Sequence, residues 1–385
     1  MFSGRTAWDL TPNHLASLVD EQRRAGRELI DLTETNPTRA GFTAPADVLA
    51  LLADPAGLHY DPQPAGLPAA RQAVAADFAR RGTTVAPEDL VLTASSSEAY
   101  ALLFKLLADP GDQVLVPRPS YPLFDYLARL ESVEAVPYAL AYDGEWHLPR
   151  HAVEAALTER ARAVVVVSPN NPTGSFLKRD EAAGLAELCA RRGLALIADE
   201  VFADYPLRPD PRRAASLAAE SAALSFALGG LSKSCGLPQL KLGWIAVGGP
   251  GAQRAAALAR LEVIADTYLS VNTPVQVAAP RLLARAAELR APIAERVRAN
   301  LVHLRAALAG SAGTVLDAEG GWSAVVQVPA TRSEEAWAAE LLEREGVRVH
   351  PGFFFDFPGE AFLVVSLLTP PAAFQEGIAR LRAML

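Results

Sequence analysis

Cysteine is scarce in this 385-residue chain, and so are most of the residues from which metal centres are built. The two cysteines, Cys189 and Cys235, form neither a Cys-x-x-Cys pair nor a disulfide framework, which points to a reducing, cytoplasmic compartment. Six histidines are dispersed and no His-Glu-x-x-His occurs, so no catalytic metal is expected. There is no Gly-x-Gly-x-x-Gly dinucleotide loop and no Gly-x-Ser-x-Gly, which removes the commonest nucleotide-binding and serine-hydrolase readings. Positive charge is in deficit: 36 Lys and Arg against 44 Asp and Glu leave a net charge of −8, which argues against a nucleic-acid partner. Nowhere do about eighteen apolar residues run together, and Met1–Asp9 lacks the apolar core of a signal peptide, so no membrane partner is expected either.

What is present reads as an ordinary globular enzyme scaffold, 50% hydrophobic and 21% charged, too long for one core. Short apolar runs at Leu90–Leu92, Val114–Val116, Ala163–Val167, Leu194–Ala198 and Leu224–Leu228, bounded by turn residues, predict buried strands. Longer amphipathic stretches separate them, at Pro68–Arg81, Ser96–Leu107 and Asp180–Arg191. This alternation predicts an α/β fold, with a large domain over residues 46–270 built on a mostly parallel, doubly wound sheet. A helical pattern from about Pro250 to Tyr268 leads out of it. Helix-like segments over Val275–Ala309 and strand-like runs at Trp322–Val328, Gly346–Val349 and Phe362–Leu367 predict a smaller α/β domain over residues 271–385.

Ligands of such sheets sit beyond the carboxyl ends of the strands. The polar motifs fall there: Ser95-Ser-Ser97 after the first run, Ser168-Pro-Asn-Asn-Pro-Thr-Gly174 after the third, Asp199 after the fourth, and Leu228-Gly-Gly-Leu-Ser-Lys-Ser234 after the fifth, with Lys241 eight residues beyond Lys233. Taken singly, Asn-Pro-Thr-Gly is an ordinary turn, Asp199 a strand-end cap and Ser232-Lys233-Ser234 a solvated loop. Their joint order is harder to explain that way. A helix starting near Ser96 presents free backbone N–H groups to an anion, Lys241 supplies full charge, and Lys233 and Asp199 supply a nucleophilic amine and a carboxylate.

This ordered set is similar to that of the class I/II aminotransferases, the aspartate aminotransferase-like branch of the fold type I pyridoxal phosphate enzymes, and the resemblance covers nearly the whole chain. It implies pyridoxal 5'-phosphate as cofactor. Lys233 would form the Schiff base and Asp199 would pair with the ring nitrogen, these two being the catalytic residues. The resemblance further implies that Asn171 donates to the ring oxygen, that Tyr121 of Pro119-Ser-Tyr121 stacks on the ring, that Ser96, Ser97 and Lys241 hold the phosphate, and that Ser232 also binds the cofactor. Tyr60, in His59-Tyr-Asp-Pro-Gln-Pro-Ala-Gly-Leu67, matches a segment that reaches the phosphate of a neighbouring subunit, so a homodimer with shared sites is implied. Residues 1–45 would pack with the carboxy-terminal domain.

The implied reaction moves an amino group between a small-molecule donor, an amino acid or amine, and a 2-oxo acid acceptor. A carbon–sulfur lyase or a decarboxylase could use the same site, and a non-catalytic cofactor-binding protein is the reading from another class. Four positions depart from the family's pattern. Phe202 stands where many members have a tyrosine, Gly230 where many have a phosphate-binding serine, and Lys241 where arginine is commoner. Val364, in Ala361-Phe-Leu-Val-Val-Ser-Leu367, stands where members acting on α-amino acids carry an arginine for the substrate carboxylate. Arg39, with Asn36 in the same Glu34-Thr-Asn-Pro-Thr-Arg39 loop, is the expected substitute; Arg348 is a second candidate.

Overall fold

The computed structural model describes residues 1–385. Its centre is a seven-stranded sheet of β1 (Leu90–Thr93), β2 (Gln113–Arg118), β3 (Glu134–Ala139), β4 (Ala161–Val167), β5 (Ala195–Asp199), β6 (Ser225–Gly230) and β7 (Gly243–Gly248). The spatial order is β1-β7-β6-β5-β4-β2-β3. Every pairing is parallel except those of β7, which runs antiparallel to both β1 and β6.

Side chains alternate across this sheet with the two-residue period of a strand. Val91, Val114, Val116, Val165, Ile197, Phe226 and Ile245 face one layer, covered by the helices Ser96–Leu107, Phe124–Leu130 and Gly251–Tyr268. Leu115, Val164, Val166, Leu196 and Ala198 face the other, against the helices Arg150–Ala156 and Arg179–Arg192. Toward the β1 edge that second layer continues as Leu90, Leu92, Ala227 and Trp244 against the helices Pro68–Arg80 and Thr273–Ala284. Burial on both faces is why these strands read as apolar runs rather than as alternating ones.

Two strands of this sheet escaped the sequence reading. β3 is an edge strand, half exposed and carrying Pro137 in a run without strong periodicity, a residue confined to edges because it cannot donate to the ladder. β7 is fully buried, but glycines at both its ends and its closeness to Lys241 make it look like loop. The helix-like segments over Val275–Ala309 are two helices, Thr273–Ala284 and Ala286–Leu308, meeting at Arg285.

A second sheet comprises β8 (Thr314–Val315), β9 (Ser323–Gln327), β10 (His350–Pro351) and β11 (Phe362–Ser366) in the order β8-β9-β11-β10. Ile30–Asp31 pairs in parallel with Val347–Arg348, and Leu32 joins the core under this sheet. The segment leading into β9 is pinned to the large sheet's loops. Glu319 accepts from Lys178 Nζ at 2.6 Å, from Arg208 at 3.1 Å and from the Phe176 N–H at 2.8 Å. Glu145, Asp210 and Glu319 come close enough to suggest a cation site, but Lys178, Arg208 and Arg212 already neutralise them. No helix is long and apolar enough to cross a membrane.

Candidate active site

The carboxyl ends of β4, β5 and β6 converge with the start of the Ser96–Leu107 helix. Asp199 is the last residue of β5, in register with Leu228 of the parallel neighbour β6. Lys233 follows β6 in a single helical turn, Leu231–Ser234, that Ser234 closes by donating its hydroxyl to the Gly230 carbonyl at 3.0 Å. Burial acts on both ionisable groups in opposite senses. It pushes the Lys233 amine down to about 8, with the Asp199 charge opposing, and pushes the Asp199 carboxyl up to about 6, with backbone and phenol donors and Lys233 opposing.

Asp199 is held on both oxygens. The Val201 N–H donates to Oδ1 at 3.1 Å and the Tyr100 hydroxyl to Oδ2 at 3.2 Å. Lys233 Nζ lies 4.6 Å from the Trp322 ring centre and 5.1 Å from that of Phe202, a cation–π cradle with no acidic partner in contact. Trp322 meets Phe202 and Tyr205 edge-on at 5.1 and 5.0 Å. The Tyr205 hydroxyl is committed to the Lys233 carbonyl at 2.6 Å, so it fixes the backbone of the lysine turn rather than standing in for the phenol missing at Phe202.

The candidate anion-binding half lies at the same sheet edge, where the end of β1 and the start of β7 meet beside the end of β6. Ser95 caps its helix by accepting from the Glu98 N–H at 3.1 Å, which leaves the first-turn N–H groups of Ser96 and Ser97 without intrahelical partners. Gly243 pairs with Thr93 across β7 and β1, and a Cβ on Gly243 would come within 3.0 Å of Thr93 Oγ1 and 3.1 Å of the Ser95 carbonyl carbon. That close approach carries Lys241, left-handed at φ 54° and exposed, to the same sheet end as Ser96. Ser232 stands in the lysine turn, partly accessible.

The Asn171 carbonyl oxygen accepts from Ser323 Oγ at 3.1 Å, which leaves its amide N–H groups for another acceptor. Tyr121 is 52% exposed on a loop tied to the 3-10 turn Gly352–Phe355, which follows β10, by the Ser120 N–H to the Phe355 carbonyl. Tyr60 is 73% exposed and borders a cavity with Tyr268, Leu269 and Ser270, a lining that includes neither Lys233 nor Asp199.

Arg39 and Asn36 lie outside this cluster. Arg39 is 77% exposed with Glu34 at 3.8 Å, and the Asn36 side-chain oxygen is taken up by Thr38. Their loop is nonetheless fastened beside position 364, because Ser366, two residues along β11, donates its hydroxyl to the Glu34 carbonyl at 2.6 Å. Arg348 is occupied by Asp31 at 3.1 Å. Sequence reasoning missed Tyr100, Trp322 and Ser323. The first could have been found as a phenol one turn along from Ser96; the other two arrive from the second sheet and carried no local signal.

The donor set fits pyridoxal 5'-phosphate: an amine of lowered basicity, a carboxylate held from behind, an amide with free N–H groups, and a helix start with a nearby cation. In protein free of cofactor, the neutral, reactive form of Lys233 should predominate above pH about 8, because burial disfavours the ammonium. Fluorodinitrobenzene labelling of Lys233, followed by peptide mapping across pH, should rise through that value. In Asp199→Asn the midpoint should fall further, since the aspartate charge is what favours the ammonium. A midpoint at the ordinary lysine value would show that the amine is solvated.

The sequence profile of the family described as aminotransferase class I and II matches residues 27–381. Glutamate-pyruvate aminotransferase AlaA of Escherichia coli is 29% identical over 254 residues, 65% of this chain and 62% of that protein. S-alkyl-thiohydroximate lyase SUR1 of Arabidopsis thaliana is 32% identical over 234 residues, 60% of this chain and 50% of that protein, so these matches span less than two thirds of either relative. A mutant aspartate aminotransferase of Thermus thermophilus superposes over the full length of both chains with a TM-score of 0.86 at 25% identity. The alanine aminotransferase of Pyrococcus furiosus shares the fold, with a TM-score of 0.90 at 21% identity over all of this chain and 99% of that one. With its α/β fold and its profile match over nearly the whole length, the chain belongs to the class I and II aminotransferase family, whose members depend on pyridoxal phosphate.

Proposed function

We propose that this protein is a transaminase that moves an amino group from a small amino donor to a 2-oxo acid. The observation that carries the reading is the pairing of Lys233, an amine of lowered basicity, with Asp199, a carboxylate at the end of the adjacent strand. Pyridoxal 5'-phosphate, when bound, supplies an aldehyde that condenses with amines and a ring that withdraws electrons from the substrate's α-carbon.

The chain's own groups do the rest. Ser96, Ser97, Ser232 and Lys241 would hold the phosphate, with Lys241 acting as a point charge where an arginine would clamp bidentately. Asn171 would donate to the ring oxygen and Tyr121 would cover the ring face. Lys233 would anchor the cofactor, and its amine, once released by the incoming amino group, would carry a proton from the substrate's α-carbon to the carbon that had been the cofactor's aldehyde. Burial lowers the pH at which that amine sheds its proton to about 8, closer to neutrality than for a solvated lysine, while the Trp322 and Phe202 rings pack about it.

Position 364 bears on the donor. Val364 is buried among Leu316, Val325, Phe355 and Phe357, an apolar contact layer and no place for an unpaired charge. A substrate carboxylate must therefore find its cation elsewhere. Arg39 is the proposed partner, because its loop is tied to β11 beside Val364 and its guanidinium is free to turn from a 3.8 Å contact with Glu34. Carbon–sulfur cleavage is the second reading. The same proton abstraction initiates it, and the match to a protein named as a lyase favours it over decarboxylation.

A panel of amino acids and amines offered in a half-reaction separates the two. Transamination yields aminated cofactor and a 2-oxo acid without ammonia, whereas the lyase route releases ammonia. With an α-amino acid donor, Arg39→Ala should raise KM about ten-fold, the cost of one lost charge-assisted contact. Donor affinity left intact would shift the search to amines or to molecules recognised through their other end.

The exposed Tyr60, bordered by exposed Leu58 and Tyr268, supports a homodimer in which Tyr60 serves the partner subunit's phosphate. Light scattering should give the mass of two chains. A single-chain mass in preparations that turn over would contradict it.

A further inference from the structure

Tyr100 sits one turn into the Ser96–Leu107 helix, on the face below Ser96 and Ser97. It is 2% exposed, and its ring is fixed by contacts with Phe124 at 5.4 Å and Phe104 at 5.9 Å. It belongs to an apolar layer that includes Val91, Leu103 and Leu127. A phenylalanine would fill the same volume, so packing does not explain the hydroxyl. That hydroxyl donates to Asp199 Oδ2 at 3.2 Å, while the Val201 N–H takes Oδ1. The carboxylate is thus gripped from two separate elements and cannot rotate without abandoning one of them.

We propose that Tyr100 is a positioning residue for the ring-nitrogen end of the cofactor site: its hydroxyl keeps Asp199 ionised and aimed, so that the proton shared with the ring nitrogen of bound pyridoxal 5'-phosphate resides on the nitrogen. The inference rests on the cofactor assignment of the preceding section. The shared proton has two places to be, on a carboxyl facing a neutral ring or on a ring nitrogen facing a carboxylate. Donation to the carboxylate stabilises the second arrangement. Burial of Asp199 works the other way and raises its affinity for the proton, so a donor on the far oxygen has a balance to tip. Because Tyr100 and the phosphate-facing Ser96 and Ser97 share one rigid helix, the same element also sets the span between the phosphate end and the nitrogen end of the site.

The test is nitrogen-15 NMR of pyridoxal 5'-phosphate labelled at its ring nitrogen and loaded onto the wild-type protein and Tyr100→Phe. The variant's resonance is expected to move toward that of the unprotonated ring, with a half-reaction about ten-fold slower at unchanged KM, as for loss of one hydrogen bond to a charged group. An unmoved resonance in a variant carrying full cofactor overturns the proposal and leaves the cofactor assignment standing. Wild-type protein that takes up no cofactor overturns that assignment instead. Tyr100→Met removes the donor with a different side-chain shape and should give the same displacement. If neither variant folds, Tyr100 belongs to the core alone and the proposal falls.

Discussion

An amine and a carboxylate, both half-buried, at the ends of adjacent parallel strands are the constraint around which this molecule is built. Each group alone would pay a desolvation cost that burial makes steep, and each is moved toward its neutral form: Lys233 down to about 8, Asp199 up to about 6. Their mutual attraction offsets only part of this. Close neighbours offset a further part, the Val201 N–H and the Tyr100 phenol on the carboxylate and the Trp322 and Phe202 rings about the amine. A molecule that offers the amine an aldehyde and the carboxylate a protonated ring nitrogen relieves both groups at once. This is the physical reason that the cleft suits pyridoxal 5'-phosphate.

Holding that pair requires a stiff frame, and the double layer of helices on the seven-stranded sheet supplies it. The frame extends into the second sheet through Glu319, whose buried carboxylate binds Lys178, Arg208 and the Phe176 N–H. Gly320 follows, where a Cβ would strike Phe176 and the Tyr205 carbonyl, so only glycine lets the chain pass and deliver Trp322 to the lysine. The ion pairs around Glu319 therefore fix where Trp322 and Ser323 enter the cleft.

Much of this was legible in the chain itself. Strands buried on both faces announce themselves as unbroken apolar runs, and the helix Ser96–Leu107 has the bounds its periodicity predicts, with a serine cap before it. Ligand chemistry concentrated at strand ends made Asp199 and Lys233 visible. What stayed hidden has two causes. β3 and β7 lack the pattern of a central parallel strand, one being a half-exposed edge and the other a reversed strand framed by glycines. The partnerships of Tyr100 with Asp199 and of Ser323 with Asn171 span 99 and 152 positions, and Trp322 meets Lys233 from the other sheet, contacts that no local periodicity encodes. Arg39 shows the converse: a sequence-level substitute for the arginine absent at Val364 that stands exposed on its loop, so its role hangs on the substrate rather than on the resting fold.

The central claim, that Lys233 is the covalent anchor of the site, is tested most directly by borohydride reduction of the cofactor-loaded protein followed by peptide mapping. The account predicts a yellow protein whose visible band is lost on reduction, with the pyridoxyl group recovered on the peptide containing Lys233 and on no other. Label on a different lysine, or a loaded protein in which reduction fixes nothing, would contradict it.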